Sequence, residues 1–137
     1  MIDHSTIPQV AFNDMNQVHH EEAALLNTLE EVLKSSPNDH ESMATCLHEI
    51  IEHTRGHFAN EERLMKEVGF PALIMHEGEH IRVFNEMQHV ISQWLSTKNN
   101  ELLHEYFLGS MIEWLHTHIL TMDTVTAQFI CMHKGCK

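Results

Sequence analysis

A chain of 137 residues is long enough for one domain with a single core, and 42% of its residues are hydrophobic. The formal net charge of −12, from 8 basic and 20 acidic residues, disfavours nucleic acid and anionic lipid as partners. The chain has only 5 glycines and 3 prolines, and the residues typical of sheets are scarce, so the composition favours an all-helical fold.

The N-terminal residues, Met1–Ser5, lack the basic and apolar regions of a signal peptide. No apolar run approaches the roughly 18 residues that a membrane span needs, so we expect no membrane insertion. The three cysteines, Cys46, Cys131 and Cys136, are odd in number and do not form a disulfide framework. Together these features predict a soluble protein of the reducing cytoplasm.

Residues 1–12 are predicted to form an extended N-terminal arm, because Ile7 precedes a proline and such a residue avoids the helical region. Segment A, the first predicted helix, follows over about residues 13–34 and ends at the polar break 35–38. Its apolar residues, three and four apart, form one stripe: Met15, Val18, Leu25, Leu26, Leu29, Val32 and Leu33.

Segments B and C are two further predicted helices, separated by the sequence Gly69-Phe70-Pro71, in which Gly69 suits a helix C-cap. Segment B begins near residue 38 or 39, and segment C covers about residues 71–95. The stripe of segment B is Met43, Leu47, Ile50, Phe58, Leu64, Met65 and Val68. The stripe of segment C is Leu73, Val83, Phe84, Met87, Val90, Ile91 and Trp94.

Segment D, over about residues 100–129, is the fourth predicted helix, with Leu103, Phe107, Met111, Leu115, Met122 and Val125 on its stripe. Four similar helices joined by short turns predict a single domain, residues 1–137, built as an antiparallel up-down-up-down four-helix bundle. Residues 130–137 are predicted to be a frayed C-terminal tail. Free thiols are favoured there over a small loop disulfide or a soft-metal site.

Histidine is the unusual component of this sequence, with 14 in 137 residues. Positions four apart share one helix face, and several histidines and carboxylates continue the apolar stripes at such spacings. These residues are His57 and Glu61 in segment B and His76 and His80 in segment C. Segment D adds His118 and Asp123. In segment A, the centre of the stripe lies roughly 70° from His19 but about 170° from His20, so His19 is the candidate that borders the core.

Polar groups on a core face need partners. A lone histidine there is usually a hydrogen-bonded core residue, but five histidines and two carboxylates aimed into one core are hard to satisfy with hydrogen bonds alone. A pair of metal ions would satisfy them, and mixed imidazole and carboxylate ligation suits iron, zinc or manganese. The sequence therefore predicts a metal centre inside the bundle.

These positions together resemble the hemerythrin family, including its single-domain bacterial members. The family pattern is one His on the first helix, H-x3-E on the second, H-x3-H on the third and H-x4-D on the fourth. The matching residues here are His19, His57 with Glu61, His76 with His80, and His118 with Asp123. The resemblance spans about residues 12–125 and includes the neighbouring sequences of residues 16–19, 57–62 and 114–119.

The resemblance implies two iron ions with an oxo or hydroxo bridge, and reversible dioxygen binding for storage or delivery without enzymatic turnover. One iron would take His76, His80 and His118, and the other His19 and His57. Both carboxylates, Glu61 and Asp123, would bridge the two ions. The second iron would keep an open position for dioxygen. Bound dioxygen would accept one electron from each Fe(II) and would return both electrons when it is released. The implied walls of the dry dioxygen pocket are Phe58, Trp114, Leu115 and Ile119.

Two features of the sequence depart from simple expectations. His118 and Asp123 are five residues apart, about 140° around an ideal helix, so a common ligand role predicts a local π-type widening between them. Glu22 lies one turn after His19, near the centre of the stripe of segment A, where many family members have an apolar residue. Either Glu22 leans out or pairs with a basic neighbour, or it reaches the dioxygen pocket.

Other functions remain open at this stage. The same di-iron centre would serve oxygen, nitric oxide or redox sensing, or iron storage, with a protein partner that the sequence does not identify. His76-Glu77-x-x-His80 also matches the H-E-x-x-H pattern of zinc metallopeptidases, with Glu77 as general base. A ferritin-like di-iron enzyme would use E-x-x-H pairs, which occur at Glu77/His80, Glu101/His104 and Glu113/His116.

Overall fold

The computed structural model describes residues 1–136, and every regular element in that range is helical. A short 3₁₀ helix at His4–Thr6 precedes the α-helices. The α-helices are α1 (Asn13–Ser35), α2 (His40–Val68), α3 (Leu73–Thr97), α4 (Asn100–Glu105), α5 (Met111–His118) and α6 (Thr124–Lys134). The predicted all-helical class is confirmed. Residue 137, the end of the predicted tail, lies outside the described residues.

The last three α-helices belong to one helical stretch, interrupted by two wider turns. These are the π-helical segments π1 (Tyr106–Ser110) and π2 (Ile119–Asp123), and the backbone at their junctions keeps right-handed helical dihedral angles. The stretch therefore corresponds to predicted segment D, and with α1, α2 and α3 it gives four helical stretches. The widening in π2 was predicted from the spacing of His118 and Asp123, and it is confirmed.

The ends of α2 follow from local chemistry. The Asp39 carboxylate accepts a hydrogen bond from the Ser42 backbone N–H at 3.1 Å, which caps the first turn. Gly69 ends the helix with φ +66°, a left-handed conformation that a side chain would disfavour. Both ends lie where the sequence predicted them.

The core consists of two hydrophobic clusters. The larger cluster is built from the second half of α1, the first half of α2, most of α3, and α4 to the start of α5, around Leu26, Ile50, Met87, Trp94 and Phe107. The smaller cluster lies towards the other end of the helices and contains Met15, Ala23, Leu64, Leu115 and Ile119 among others. The buried histidines and carboxylates lie beyond the larger cluster along each helix, interleaved with the smaller one.

The N-terminal segment belongs to the smaller cluster, since Ile7, Val10 and Phe12 are buried in it. The Asn16 side chain holds the segment by accepting from the Val10 N–H at 2.8 Å and donating to the Val10 carbonyl at 3.0 Å. Because residues 4–6 form a helical turn, an arm extended over all of residues 1–12 is not confirmed.

The C-terminus differs from the predicted frayed tail. Helix α6 continues to Lys134, because Ile130 is buried in the smaller cluster, Cys131 is also buried, and the helix is not free to fray. Gly135, at φ +95°, turns the chain so that Cys136 pairs with Cys131 in a disulfide. The preference for two free thiols is therefore wrong, whereas Cys46 is free and buried. Among the described residues, no helix is long and apolar enough to cross a lipid bilayer.

Candidate metal centre

Each of the four helical stretches contributes to one buried polar cluster. Helix α1 supplies a histidine, α2 a histidine and a carboxylate, α3 two histidines, and the junction of α5 with π2 a histidine and a carboxylate. All seven side chains are at most 7% exposed: His19, His57, Glu61, His76, His80, His118 and Asp123. These are the seven residues selected from the sequence, and the fold brings them together.

Five of the seven side chains form a first donor group, in which one ligand atom from each lies within 4.8 Å of the others. Its members are Glu61, His76, His80, His118 and Asp123. His76 Nε2 lies 3.1 Å from His118 Nε2 and 3.2 Å from Asp123 Oδ1. His80 Nε2 lies 3.4 Å from Glu61 Oε1.

A second donor group contains His19 and His57 and shares both carboxylates, Glu61 and Asp123, with the first. His19 Nε2 lies 2.9 Å from Asp123 Oδ2, and His57 Nε2 lies 2.6 Å from Glu61 Oε2. Each carboxylate thus turns one oxygen to each group, since Oδ1 and Oε1 face the first group and Oδ2 and Oε2 the second. This is the arrangement in which a carboxylate bridges two metal ions.

The wide turn of π2 makes the Asp123 contribution possible. His118 is the last residue of α5, and Asp123 is the last residue of π2. On an ideal α-helix a five-residue spacing would turn Asp123 about 140° away from His118. In π2 the two side chains converge, with His118 Nε2 at 3.1 Å from Asp123 Oδ1.

The electrostatics of the cluster reflect this crowding of opposite charges. Burial opposes protonation of His57, yet the Glu61 carboxylate outweighs it and raises the pKa of His57 to about 9. Burial likewise opposes protonation of His76, but the Asp123 and Glu61 carboxylates, each 3.2 Å from His76 Nε2, raise the pKa of His76 to about 9. The neighbouring imidazoles lower the pKa of both carboxyl groups, against the effect of burial. Without metal, the cluster is held together by buried ion pairs.

Hydrogen bonds within the protein leave part of the cluster unsatisfied. Glu61 Oε1, His80 Nε2 and Asp123 Oδ1 are buried and have no partner in hydrogen-bonding geometry, although imidazole nitrogens lie 3.1–3.4 Å from the two oxygens. All three atoms point into the two donor groups. Buried polar atoms of this kind require compensation, and two cations with mixed imidazole and carboxylate ligands would provide it. The residues therefore fit a pair of metal ions.

Two side chains outside the seven orient two histidine rings of the first donor group. Thr126 Oγ1 lies 2.9 Å from His76 Nδ1, and Glu62 Oε2 lies 3.0 Å from His80 Nδ1. A partner on the outer nitrogen fixes which nitrogen is free for a metal. Thr126 and Glu62 were not selected from the sequence. The position of Glu62 directly after Glu61 gave no signal, and Thr126 lies on α6, beyond the last predicted ligand.

The residues predicted to wall a dioxygen pocket fall into two sets. The Phe58 ring stacks on His80 at a centroid distance of 3.8 Å, and the Trp114 ring stacks on His118 at 4.4 Å. Both therefore cover histidines of the first donor group. Leu115 and Ile119 instead belong to the smaller hydrophobic cluster, with Met15 and Ala23 from the helix that carries His19.

Glu22 is buried, and it lies outside both donor groups. Its Oε2 accepts from His53 Nδ1 at 2.6 Å, and its Oε1 accepts from the Thr54 hydroxyl at 3.0 Å. Of the two alternatives for this residue, pairing with a basic neighbour is the one that the structure shows.

Apart from His76 and His80, the residues that the competing interpretations require lie outside both donor groups. Glu77, the general base of an H-E-x-x-H peptidase, is partly exposed and belongs to neither. Of the proposed E-x-x-H pairs, Glu101, Glu113 and His116 are exposed, and His104 is only partly buried. Within residues 1–136, the two overlapping groups are the only clusters of three or more such side chains with suitable spacing.

The sequence is similar to one protein-family model and to known bacterial proteins. The family model described as a hemerythrin HHE cation binding domain matches residues 10–130. A bacteriohemerythrin of Aquifex aeolicus (strain VF5) is 33% identical over 114 residues, which cover 83% of this chain and 86% of the relative. A bacteriohemerythrin of Stenotrophomonas maltophilia (strain R551-3) is 26% identical over 124 residues, which cover 90% of this chain and 78% of the relative.

Proposed function

The chain belongs to the hemerythrin family, and from that premise we propose that it binds dioxygen reversibly at a non-haem di-iron centre. The observation that carries the proposal is that two carboxylates are shared between the donor groups. Glu61 and Asp123 each present one oxygen to the first donor group, which contains three histidines, and the other to the second, which contains two. These are called the three-histidine group and the two-histidine group below. This donor set matches two metal ions that share their carboxylate ligands.

The histidines divide unequally between the two ions. His76, His80 and His118 would hold one iron, and His19 and His57 the other. The second iron would therefore have one protein ligand fewer and keep one position for an external molecule. When bound, the iron pair supplies two electrons to dioxygen and recovers them on its release. The role of the protein is binding without turnover.

The protein would protect this chemistry by excluding water. Leu115 and Ile119 are almost fully buried in the smaller cluster, to which the helix that carries His19 also contributes. Phe58 and Trp114 instead cover the three-histidine side. An apolar surrounding disfavours the departure of dioxygen in a reduced, charged form, which would carry electrons away and leave the irons oxidised. We assign Leu115 and Ile119 to the dioxygen side of the pocket on this ground.

Two further properties belong to the same proposal. Short connections at residues 36–39, 69–72 and 98–99 support an antiparallel up-down-up-down order of the four helical stretches. We also propose that the protein acts as an oxygen store or carrier in the cytoplasm, the location expected from its sequence. Dioxygen is the proposed partner.

The test is to purify the protein, measure its metal content and record its visible spectrum while dioxygen is added and removed. We expect about two irons per chain, no colour when reduced, and a colour that appears with dioxygen and disappears under vacuum. His57→Ala should lose one iron, whereas His89→Ala, an exposed histidine on α3, should behave as the unchanged protein.

Each other outcome points to a different function. A colour that does not reverse would favour a sensing or redox role for the same centre. Iron that accumulates beyond two ions per chain would indicate iron storage. Zinc as the only metal, together with cleavage of a peptide substrate, would overturn the proposal in favour of the peptidase interpretation.

A further inference from the structure

A buried carboxylate that is not a proposed metal ligand lies directly behind the two-histidine group. Glu22 is 2% exposed and lies on α1, one turn after His19. Two consecutive residues of α2, His53 and Thr54, each donate a hydrogen bond to one of its oxygens. The other nitrogen of His53 contacts the exposed Glu21 carboxylate at 3.1 Å. These contacts hold the Glu22 carboxylate in one orientation.

The side chain that this carboxylate faces is His57. His57 Nε2 points to Glu61, and its outer nitrogen, Nδ1, is buried without a hydrogen-bond partner. The nearest carboxylate oxygen to that nitrogen is Glu22 Oε2, at 4.0 Å. In the three-histidine group the corresponding outer nitrogens of His76 and His80 have partners at 2.9 and 3.0 Å. His57 Nδ1 thus has a carboxylate nearby, but the two groups are too far apart for a hydrogen bond.

We propose that Glu22 is a positioning residue for His57, accepting the Nδ1–H of that ring when Nε2 binds a metal. The proposal rests on the proposed function, because it requires a metal at the two-histidine group. A metal on Nε2 leaves the proton of the neutral imidazole on Nδ1, and a buried N–H needs an acceptor. A shift of about 1 Å would bring the two atoms into hydrogen-bonding distance.

The geometry excludes a direct ligand role for Glu22 in this conformation. Its oxygens are occupied by His53 and Thr54, and it lies outside both donor groups. Instead, a carboxylate that accepts the Nδ1–H makes the imidazole a stronger ligand for the metal through Nε2, and it fixes the orientation of the ring. The effect should be confined to the metal bound by His19 and His57, which is the ion with the open position.

Glu62 provides a matched comparison for the other metal. It contacts His80 Nδ1 at 3.0 Å, so it stands to the three-histidine group as Glu22 stands to the two-histidine group. Removing each carboxylate should therefore weaken a different metal. Glu31, an exposed carboxylate further along α1, is the neutral control.

The experiment titrates metal-free protein with Co²⁺ and follows its absorption, using His57→Ala to identify the bands of the two-histidine site. We expect Glu22→Leu to weaken Co²⁺ binding at that site about 10- to 100-fold and to leave the other site within twofold. Glu22→Gln keeps the volume and one acceptor oxygen, so it should lose less. Glu62→Gln should show the opposite pattern, and Glu31→Gln no change.

The outcomes separate the two proposals. If the unchanged protein binds two Co²⁺ ions and both Glu22 variants, folded by circular dichroism, bind them with unchanged affinity and bands, the role of Glu22 is overturned and the di-metal site stands. Equal weakening of both sites would also overturn it, because that result indicates a general structural role. If the unchanged protein binds no Co²⁺ pair, both proposals fail.

Discussion

His118 and Asp123 are five residues apart in the chain, yet His118 Nε2 lies 3.1 Å from Asp123 Oδ1 inside the bundle. The π-helical segment Ile119–Asp123 accounts for this contact by widening the helix where the carboxylate must turn inward. Such π-helical turns are rare in proteins and occur frequently at functional sites. The local departure from α-helical geometry here is therefore explained by the position that Asp123 takes in the cluster. Asp123, like Glu61, is consequently shared by both donor groups.

Asp123→Ala should therefore abolish the binding of two metals, because each group loses a ligand and the shared charge. We expect less than one tightly bound iron per chain, with the helical content retained. Iron analysis after gel filtration measures the first and circular dichroism the second. Glu113→Ala, which removes an exposed carboxylate from α5, is the control and should keep both irons. Full iron content in Asp123→Ala would contradict the bridging role.

The stability of the metal-free protein should depend on pH in both directions. The pKa of His57 and of His76 is raised from 6.5 to about 9, so their contribution is fully present below pH 6.5 and is lost as pH rises through 9. The pKa of Glu61 and of Asp123 is lowered, so their contribution is present above about pH 4 and is lost as pH falls. The free energy of unfolding should therefore be greatest near pH 5–6.

Urea unfolding of the metal-free protein at pH 5.5 and pH 9.5 measures this effect. We expect a loss on the order of a few kcal/mol at the higher pH. In the iron-loaded protein the metal holds the imidazoles neutral, so the same rise in pH should cost much less. A metal-free protein that is equally stable at both pH values would show that the buried imidazoles are not paired with the carboxylates.

Trp114 links a proposed ligand to the surface of α3. Its ring is stacked on His118 with an interplanar angle of 18°, and its Nε1–H donates to Glu79 at 2.8 Å. Hydrogen bonds from Arg82 and then Trp114 lower the pKa of Glu79 to about 2, so Glu79 is a charged acceptor at neutral pH. The indole is therefore fixed at both ends and restrains the imidazole beneath it.

Trp114→Ala should accelerate metal loss from the three-histidine group, whereas Trp114→Phe should largely preserve retention because it keeps an aromatic face. An aromatic pair contributes about 0.5–1.5 kcal/mol, which corresponds to roughly a 2- to 12-fold faster release. Transfer of metal to an excess of chelator gives this rate. Identical release rates in both variants would show that stacking on His118 has no part in holding the metal.

The sequence was sufficient to predict the all-helical class and the seven side chains that converge. Apolar periodicity placed the helices, and the pairs His57/Glu61 and His76/His80 continued the stripes at i, i+4 spacing. His19 was separated from His20 by helix geometry alone, and in the structure His19 is fully buried. The spacing of His118 and Asp123 even predicted the π-helical turn, because a straight helix was incompatible with a common site.

Other features depend on contacts between segments, which periodicity does not encode. Thr126 reaches His76 because α6 packs beside α3, and Glu62 reaches His80 because α2 does. The orientation of Glu22 likewise depends on two neighbours on α2. The other widened turn, π1 (Tyr106–Ser110), contains no pair of polar residues whose spacing would predict it. The C-terminal helix was underestimated because the burial of Ile130 depends on the smaller cluster rather than on local sequence.

Two glycines allow the helix interpretation to be tested independently of metal. Gly78 lies inside α3 between His76 and His80, and a Cβ placed there meets nothing within 4 Å. Gly69 also has open space around it, but its φ of +66° disfavours any side chain. The two positions thus differ in backbone conformation and not in packing.

Gly78→Ala should raise the free energy of unfolding by about 0.5–1 kcal/mol, because alanine loses less conformational entropy in a helix. Gly69→Ala should lower it by about 1–2 kcal/mol through left-handed strain. Urea unfolding of the metal-free proteins measures both changes. Iron content should be unchanged in Gly78→Ala, since the added methyl group points to solvent. Loss of iron in that variant would mean that α3 needs a closer approach at Gly78 than the structure shows.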